Sequence, residues 1–256
     1  MRVLISDCAN FDGLLPIAEE FGVGIEIQEF TSPEFLDNKQ YRAKEIGAKI
    51  RNISLRGFHG PFSEMVPATR DQKIKDVMLE RFETAYRLAQ TVGANHFGLH
   101  TGFIPKTYPH DIWIKNSLEF WTSFLAGKND SISIHMENVY EDDPSIMIEL
   151  LDKINKAMQR EAVSACLDVG HVNANSSRLH KEWITSLGAR IKYVHVHNNG
   201  GVLDDHWGLW KGTINIPGVL DLLLKHSPDS YWMIEAVQPD IYKSVLWLKE
   251  RGYLDK

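Results

Sequence analysis

The chain has no excess of basic charge, almost no cysteine and no long apolar run. Its 256 residues include only Cys8 and Cys166. Two cysteines cannot build the disulfide framework of a secreted scaffold, and they suit a reducing compartment. No apolar stretch approaches the roughly 20 residues that span a bilayer. The opening Met1-Arg2-Val3-Leu4-Ile5-Ser6-Asp7 meets an acid too early for a signal peptide. Lys and Arg number 28 against 34 Asp and Glu, a formal net charge of −6. No global positive field therefore advertises a polyanionic partner. Gly/Pro/Ser-rich linkers, low-complexity tracts and breaks in composition are also missing. These absences predict a cytoplasmic protein of one domain without a membrane segment, and α/β barrels often use about 250 residues for one domain.

What is present is alternation. Short apolar runs recur at Val3–Ile5, Gly24–Ile27, Arg56–His59, His96–His100, Ser131–Glu137, Val163–Asp168, Ile191–His197 and Tyr231–Glu235. Longer amphipathic stretches lie between them. In Ile74–Leu88 the apolar positions Ile74, Val77, Met78, Phe82, Ala85, Tyr86 and Leu88 follow the spacing of a buried helical stripe. Asp143-Pro144 opens another helix, with the acid as cap and the proline in the first turn. Gly93 and Gly188 suit helix C-caps. About eight strand–helix pairs predict an α/β fold, a single (β/α)8 TIM barrel. One long irregular segment, Asn198 to Pro217, follows the seventh strand, and such a segment is usually functional.

Strand ends carry the chemistry. His59, His100, Glu137, Asp168, His197 and Glu235 close six of the runs, and in a parallel barrel those ends meet at one rim. Several carboxylates crowded in a dehydrated mouth repel one another unless a cation compensates them. Glu137, Asp168, His197 and Glu235 therefore read as a metal site. Its three oxygen donors and one imidazole suit Mn²⁺, Mg²⁺ or Co²⁺. His195, two residues before His197, is expected one layer deeper as an interior histidine, and Cys166 as a core filler. Cys8 is expected near the mouth without a partner to activate it. His96, His110, His180 and His226 receive no role.

The motifs His59-Gly60-Pro61, Leu99-His100-Thr101-Gly102, Glu137-Asn138, Leu167-Asp168-Val169-Gly170-His171, His195-Val196-His197 and Ile234-Glu235 together resemble the xylose-isomerase-like TIM-barrel superfamily. The resemblance spans nearly the whole chain. It implies a sugar or sugar-phosphate isomerase or epimerase in which Glu137 and Glu235 form the acid–base pair across the substrate carbon. It further implies that His171 binds a sugar hydroxyl and that Glu141 positions another, with His59 and His100 also facing the substrate. Phe11, Phe62, Phe103, Tyr140, Trp207 and Trp210 lie on the expected rim loops as apolar walls for a sugar, and Lys211 is read as a surface lysine. Ketose 3-epimerases of this superfamily carry an Arg shortly after the seventh-strand histidine, whereas Asn198-Asn199-Gly200-Gly201-Val202-Leu203 carries none.

The next stretch, Asp204-Asp205-His206, resembles the Asp-x-His element of endonuclease IV. There the positions matching His59, His100, Glu137, Asp168, His171, His197, Asp204, His206 and Glu235 hold three zinc ions. A zinc-dependent nuclease at abasic DNA sites is thus the alternative, and a barrel that only binds its ligand is a third. No basic cluster adjoins the rim motifs, which places the small-sugar reading ahead of the nucleic-acid one. Composition is equally compatible with a monomer and a homo-oligomer.

Overall fold

Both faces of nearly every strand are buried, the environment of a parallel sheet covered by helices. The computed structural model describes residues 2–6, 11–37 and 39–254. Its strands are β1 (Val3–Ser6), β2 (Gly24–Ile27), β3 (Arg56–His59), β4 (His96–His100), β5 (Ser133–Glu137), β6 (Ser164–Asp168), β7 (Ile191–Val196) and β8 (Tyr231–Ile234). All pair in parallel and in chain order. β1 closes on β8 through Val3↔Trp232 and Ile5↔Ile234. The fold is a TIM barrel, as the alternation of patterns leads one to expect. His197 and Glu235 stand just past their strands, where the chain leaves the ladder at the rim.

Helices α1 (Phe11–Phe21), α2 (Pro33–Leu36), α3 (Gln40–Lys49), α4 (Gln72–Val92), α5 (His110–Leu125), α6 (Pro144–Met158), α7 (Val169–Asn175), α8 (His180–Leu187), α9 (Ile216–His226) and α10 (Asp240–Glu250) surround the strands. Local chemistry sets several ends. The Asp71 side chain accepts from the Lys73 amide to start α4, and Gly93 stops it at φ 72°. Asp143 caps α6 by accepting from the Ser145 amide at 2.9 Å, with Pro144 in the first turn. The long connection after β7 is ordered by Asn198. Its side chain accepts from the Asn199 and Ile214 amides and donates to the Leu209 and Ile214 carbonyls. An antiparallel bridge between Asn198 and Trp207 folds the intervening residues back toward the rim.

Two hydrophobic clusters result. The large one lies between strands and helices and contains the fully buried Trp113, Trp121, Trp183, Phe82, Phe120 and Phe124. The small one, Leu4, Cys166, Tyr193 and Met233, fills part of the barrel interior. Barrel interiors are ordinarily packed with layers of branched apolar side chains. Here Glu26, His135, Ser164 and His195 are buried among them, so polar groups continue inward from the mouth. Among the described residues no helix is long and apolar enough to cross a membrane. Cys8 lies outside the described residues.

Candidate metal centre

Glu137, Asp168 and Glu235 come from β5, β6 and the end of β8, and all three are buried. Each is held by local structure. Asp168 ends β6 and caps α7, its Oδ1 accepting from the His171 amide at 2.6 Å. The Asn138 side chain ties the two strand ends together, accepting from the Asp168 amide at 2.9 Å and donating to its carbonyl at 3.1 Å. Glu235 Oε1 accepts from the Gln28 side chain at 2.5 Å, and the same amide reaches Glu26 at 3.1 Å.

Glu137 and Glu235 lie against His195, whereas Asp168 reaches both His195 and His197. The His195 Nδ1 atom lies 3.0 Å from Glu235 Oε2, 3.3 Å from Glu137 Oε1 and 3.8 Å from Asp168 Oδ2. His197 Nε2 sits farther out, 3.3 Å from Asp168 Oδ1 and 3.4 Å from Asp204 Oδ1, with its ring stacked on His206 at 4.1 Å. His195 is buried in the interior, as expected, and register brings it closer to the acids than a deeper layer would. Asp168 pairs with His195 across β6 and β7, which puts that imidazole level with the carboxylates. His197 can approach so closely because residue 170 is glycine, where a Cβ would fall 1.9 Å from the His197 ring.

Hydrogen bonding around this group is incomplete in a specific way. Asp168 Oδ2 and both ring nitrogens of His195 and of His197 are buried without a hydrogen-bond partner among the described residues. Leaving such atoms unpaired is costly. Oxygen and nitrogen donors around a tetrahedral metal at 2.0–2.1 Å stand about 3.3 Å from one another, close to the spacings found here. The donor set therefore fits a divalent cation. Glu26 lies behind it, its Oε1 3.5 Å from His195 Nε2, in the place of a group that orients a ligating imidazole.

A ring of further histidines faces the same space. His59 donates from Nδ1 to the Gly60 carbonyl at 2.8 Å and presents Nε2 to Glu137 at 3.2 Å. His171 and His206 donate from Nδ1 to the Asn138 and Glu235 carbonyls, and both present Nε2 to Asp204, at 3.1 and 2.8 Å. His100 Nε2 is 3.7 Å from Glu137, and its ring stacks on Phe62 at 4.7 Å. Burial opposes the ionised form of Glu137, yet the charge of His195 holds its carboxyl well below the usual range. Glu235 behaves likewise, with His195 as the main opposing charge. Burial also disfavours charge on His206, but its bond to Asp204 raises it to about 9. Burial alone dominates at His100 and depresses it to about 3. His59, His100 and Glu137, like Glu137, Asp168 and His171, or Asp168, His195 and Glu235, converge closely enough to share a cation.

The mouth is a cavity of about 680 Å³ lined by His59, His100, Glu137, His171, Asp204, His206 and Glu235. Phe62, Phe103 and Tyr140 also line it, as expected. Two anticipated substrate contacts do not. Glu141 turns inward, accepting from the Thr101 hydroxyl and from the Val139 amide. Trp207 lies outside the lining because the bridge to Asn198 holds its backbone and Lys211 sits 5.0 Å from its ring. Phe11 is buried in the outer core, and Trp210 is absent from the lining. Cys166 is a neutral core group, its thiol pushed up by burial. Gln28 and Glu26 escape sequence reasoning, and Gly170 enters it only as part of the motif Leu167–His171. The one available signal was an acid, Glu26, inside an apolar strand.

Comparison with known proteins agrees with this architecture. Uncharacterized protein MJ1311 of Methanocaldococcus jannaschii is 28% identical over 199 residues, 75% of this chain and 68% of that protein. A solved structure of the TTHB071 protein from Thermus thermophilus, soaked with zinc chloride, has a TM-score of 0.78 at 21% identity, covering 98% of this chain and 97% of its own. D-Allulose 3-epimerase from Methylomonas sp., in complex with D-allulose, has a TM-score of 0.75 at 15% identity, covering 99% and 97%. Both structural likenesses concern the fold. Residues 15–251 match the family model described as xylose isomerase-like TIM barrel, and the chain belongs to that family.

Proposed function

We propose that the protein is a metal-dependent isomerase or epimerase of a small sugar. The observation that carries this reading is the convergence of Glu137, Asp168 and Glu235 on His195 Nδ1, within 3.0 to 3.8 Å. These four residues would hold the cation, with His197 next outward. A bound divalent ion would polarise a substrate carbonyl and balance the charge of an enediolate. Glu137 and Glu235 stand three strands apart around the barrel, so they approach a substrate from different sides. One removes the proton from the carbon beside the carbonyl and the other returns it, each within a buried mouth that limits exchange with water. His59, His100, His171 and His206 face the cavity and hydrogen-bond sugar hydroxyls. The likeness to a D-allulose 3-epimerase and to a zinc-soaked protein supports the same reading.

Incubation of the manganese-loaded protein with ketoses in deuterium oxide should place one deuterium at the reacting carbon. Glu137→Gln and Glu235→Gln should each slow this at least about 100-fold. Absence of exchange across all ketohexoses and ketopentoses would contradict the proposal. A second reading is favoured by one cluster. Asp204 with His171 and His206, next to the central group, supplies donors for more than one cation, as a phosphodiesterase would require. Chelator-sensitive incision of an abasic-site duplex, lost in Asp204→Ala, would decide for it.

A further inference from the structure

The end of the barrel away from the mouth holds a second cavity, of about 280 Å³, at the starts of β4 to β8. In barrels of this kind that face ordinarily serves stability, and the chemistry stays at the opposite rim. Here a polar row runs into it. Ser164 Oγ lies 2.7 Å from His135 Nδ1, and His135 Nε2 lies 2.9 Å from His96 Nδ1. All three residues line the cavity. His96 is only 6% exposed, yet its other ring nitrogen, Nε2, has no hydrogen-bond partner among the described residues. The two bonds determine what that nitrogen offers. When the Ser164 hydroxyl donates to His135 Nδ1, the His135 Nε2–H donates to His96 Nδ1, and His96 Nε2 then carries the hydrogen of its ring. Tyr231 packs on the same imidazole, with ring centroids 4.4 Å apart, and holds it in place.

Charges along the walls are unevenly satisfied. Asp130 pairs with Arg160, and Asp229 pairs with Arg2 at 3.0 Å. Both acids are mostly exposed, as is Glu161, so their charge is met by arginine or by water. Lys192 of β7 also lines the cavity and is half-buried, and it makes no ion pair or hydrogen bond among the described residues. The unpaired groups that face the cavity from inside the protein are therefore donors.

We infer that this cavity is a second binding site, for a small molecule with an oxyanion end, a carboxylate or a phosphate, held by the Lys192 ammonium and by His96 Nε2–H. An acceptor-only group is the complement of two unpaired donors, and bonds to an ionised partner are the stronger kind. Burial keeps His96 neutral near pH 7, so it serves as a neutral donor while Lys192 supplies the charge. A cation is the wrong ligand here, because among the described residues no three ligating atoms of this cavity converge. Its volume is close to the roughly 300 Å³ at which small-molecule pockets begin, so the oxyanion belongs to a compact molecule. None of these residues lines the mouth, and the site stands independently of the isomerase reading.

The test titrates the magnesium-loaded protein near pH 7 with malonate and, separately, with inorganic phosphate. Binding is followed by calorimetry and by the imidazole signals in nuclear magnetic resonance. At least one probe should saturate with a dissociation constant of about 1 mM or tighter and shift the His96 signals. Malonate saturating first assigns the anionic end to a carboxylate, and the opposite order assigns it to a phosphate. His96→Gln and Lys192→Gln should each weaken binding at least about 10-fold. Lys192 is partly exposed, so its variant, confirmed folded by circular dichroism, carries the test even if His96→Gln does not fold. Shifts confined to His171 or His206 would place the anion at the mouth and overturn the inference. Saturation by neither probe up to about 10 mM, or binding that Lys192→Gln leaves unchanged, would overturn it as well.

Discussion

Single side chains decide whether the mouth binds a cation. Three carboxylates face His195 Nδ1 and Glu26 faces its Nε2, so on the proposed reading removing that imidazole removes a ligand and leaves negative charge uncompensated. His195→Gln should weaken manganese binding by about 100-fold, and His197→Gln by about 10-fold or less, in calorimetric titration. The reverse order would return the ligand role to the outer histidine. This contrast also marks a limit of reading side chains from sequence. The last histidine of the run His195-Val196-His197 is the natural rim residue if strands are aligned by their ends. Alignment instead follows the ladder, and β6 and β7 shift register between Ala165 and Cys166. No pattern of residue types shows such a shift. The convergence of Glu137, Asp168 and Glu235 was legible because acids that close successive strands of a parallel barrel meet at one rim.

Elements matter at the opposite end of the barrel. There β4, β5 and β6 bring His96, His135 and Ser164 into one hydrogen-bonded row, at 2.9 and 2.7 Å. Burial depresses His96 to about 4 and His135 well below its ordinary value. In the unfolded chain both titrate near 6.5. The unfolded state therefore binds more protons between these limits, and the stability due to neutral imidazoles is present above pH 6.5 and is lost as pH falls toward 4. His96 alone contributes at most about 3 kcal/mol to this slope. Urea midpoints of the metal-free protein should fall over that window, and His96→Gln should flatten the fall. An unchanged slope would refute the buried neutral pair. The strands themselves were readable to within two residues, and α4 and α6 from their stripes and caps. The short helices α2 and α7 were not, since four and seven residues carry too little periodicity to register.

Closure of the barrel couples these parts. β1 pairs with both β2 and β8, so no strand is left as an edge that can open alone. A site assembled from four different strands exists only while the ring is closed. Metal binding should therefore stabilise the entire fold. Manganese at 100 times its dissociation constant should raise the thermal midpoint by about 5–10 °C, reversibly on chelation. A metal that binds without moving the midpoint would mean a site formed by one loop. The overall architecture was legible because alternation of strand and helix patterns is a property of the entire chain. Ordering of the segment from Asn198 was not, because it depends on one asparagine side chain bonded to four backbone groups. The most direct test is anomalous diffraction from a manganese-soaked crystal. One strong peak about 2.0–2.3 Å from donor atoms of Glu137, Asp168, His195 and Glu235 is the predicted result. Density only at surface carboxylates, with these four side chains turned apart, would contradict it.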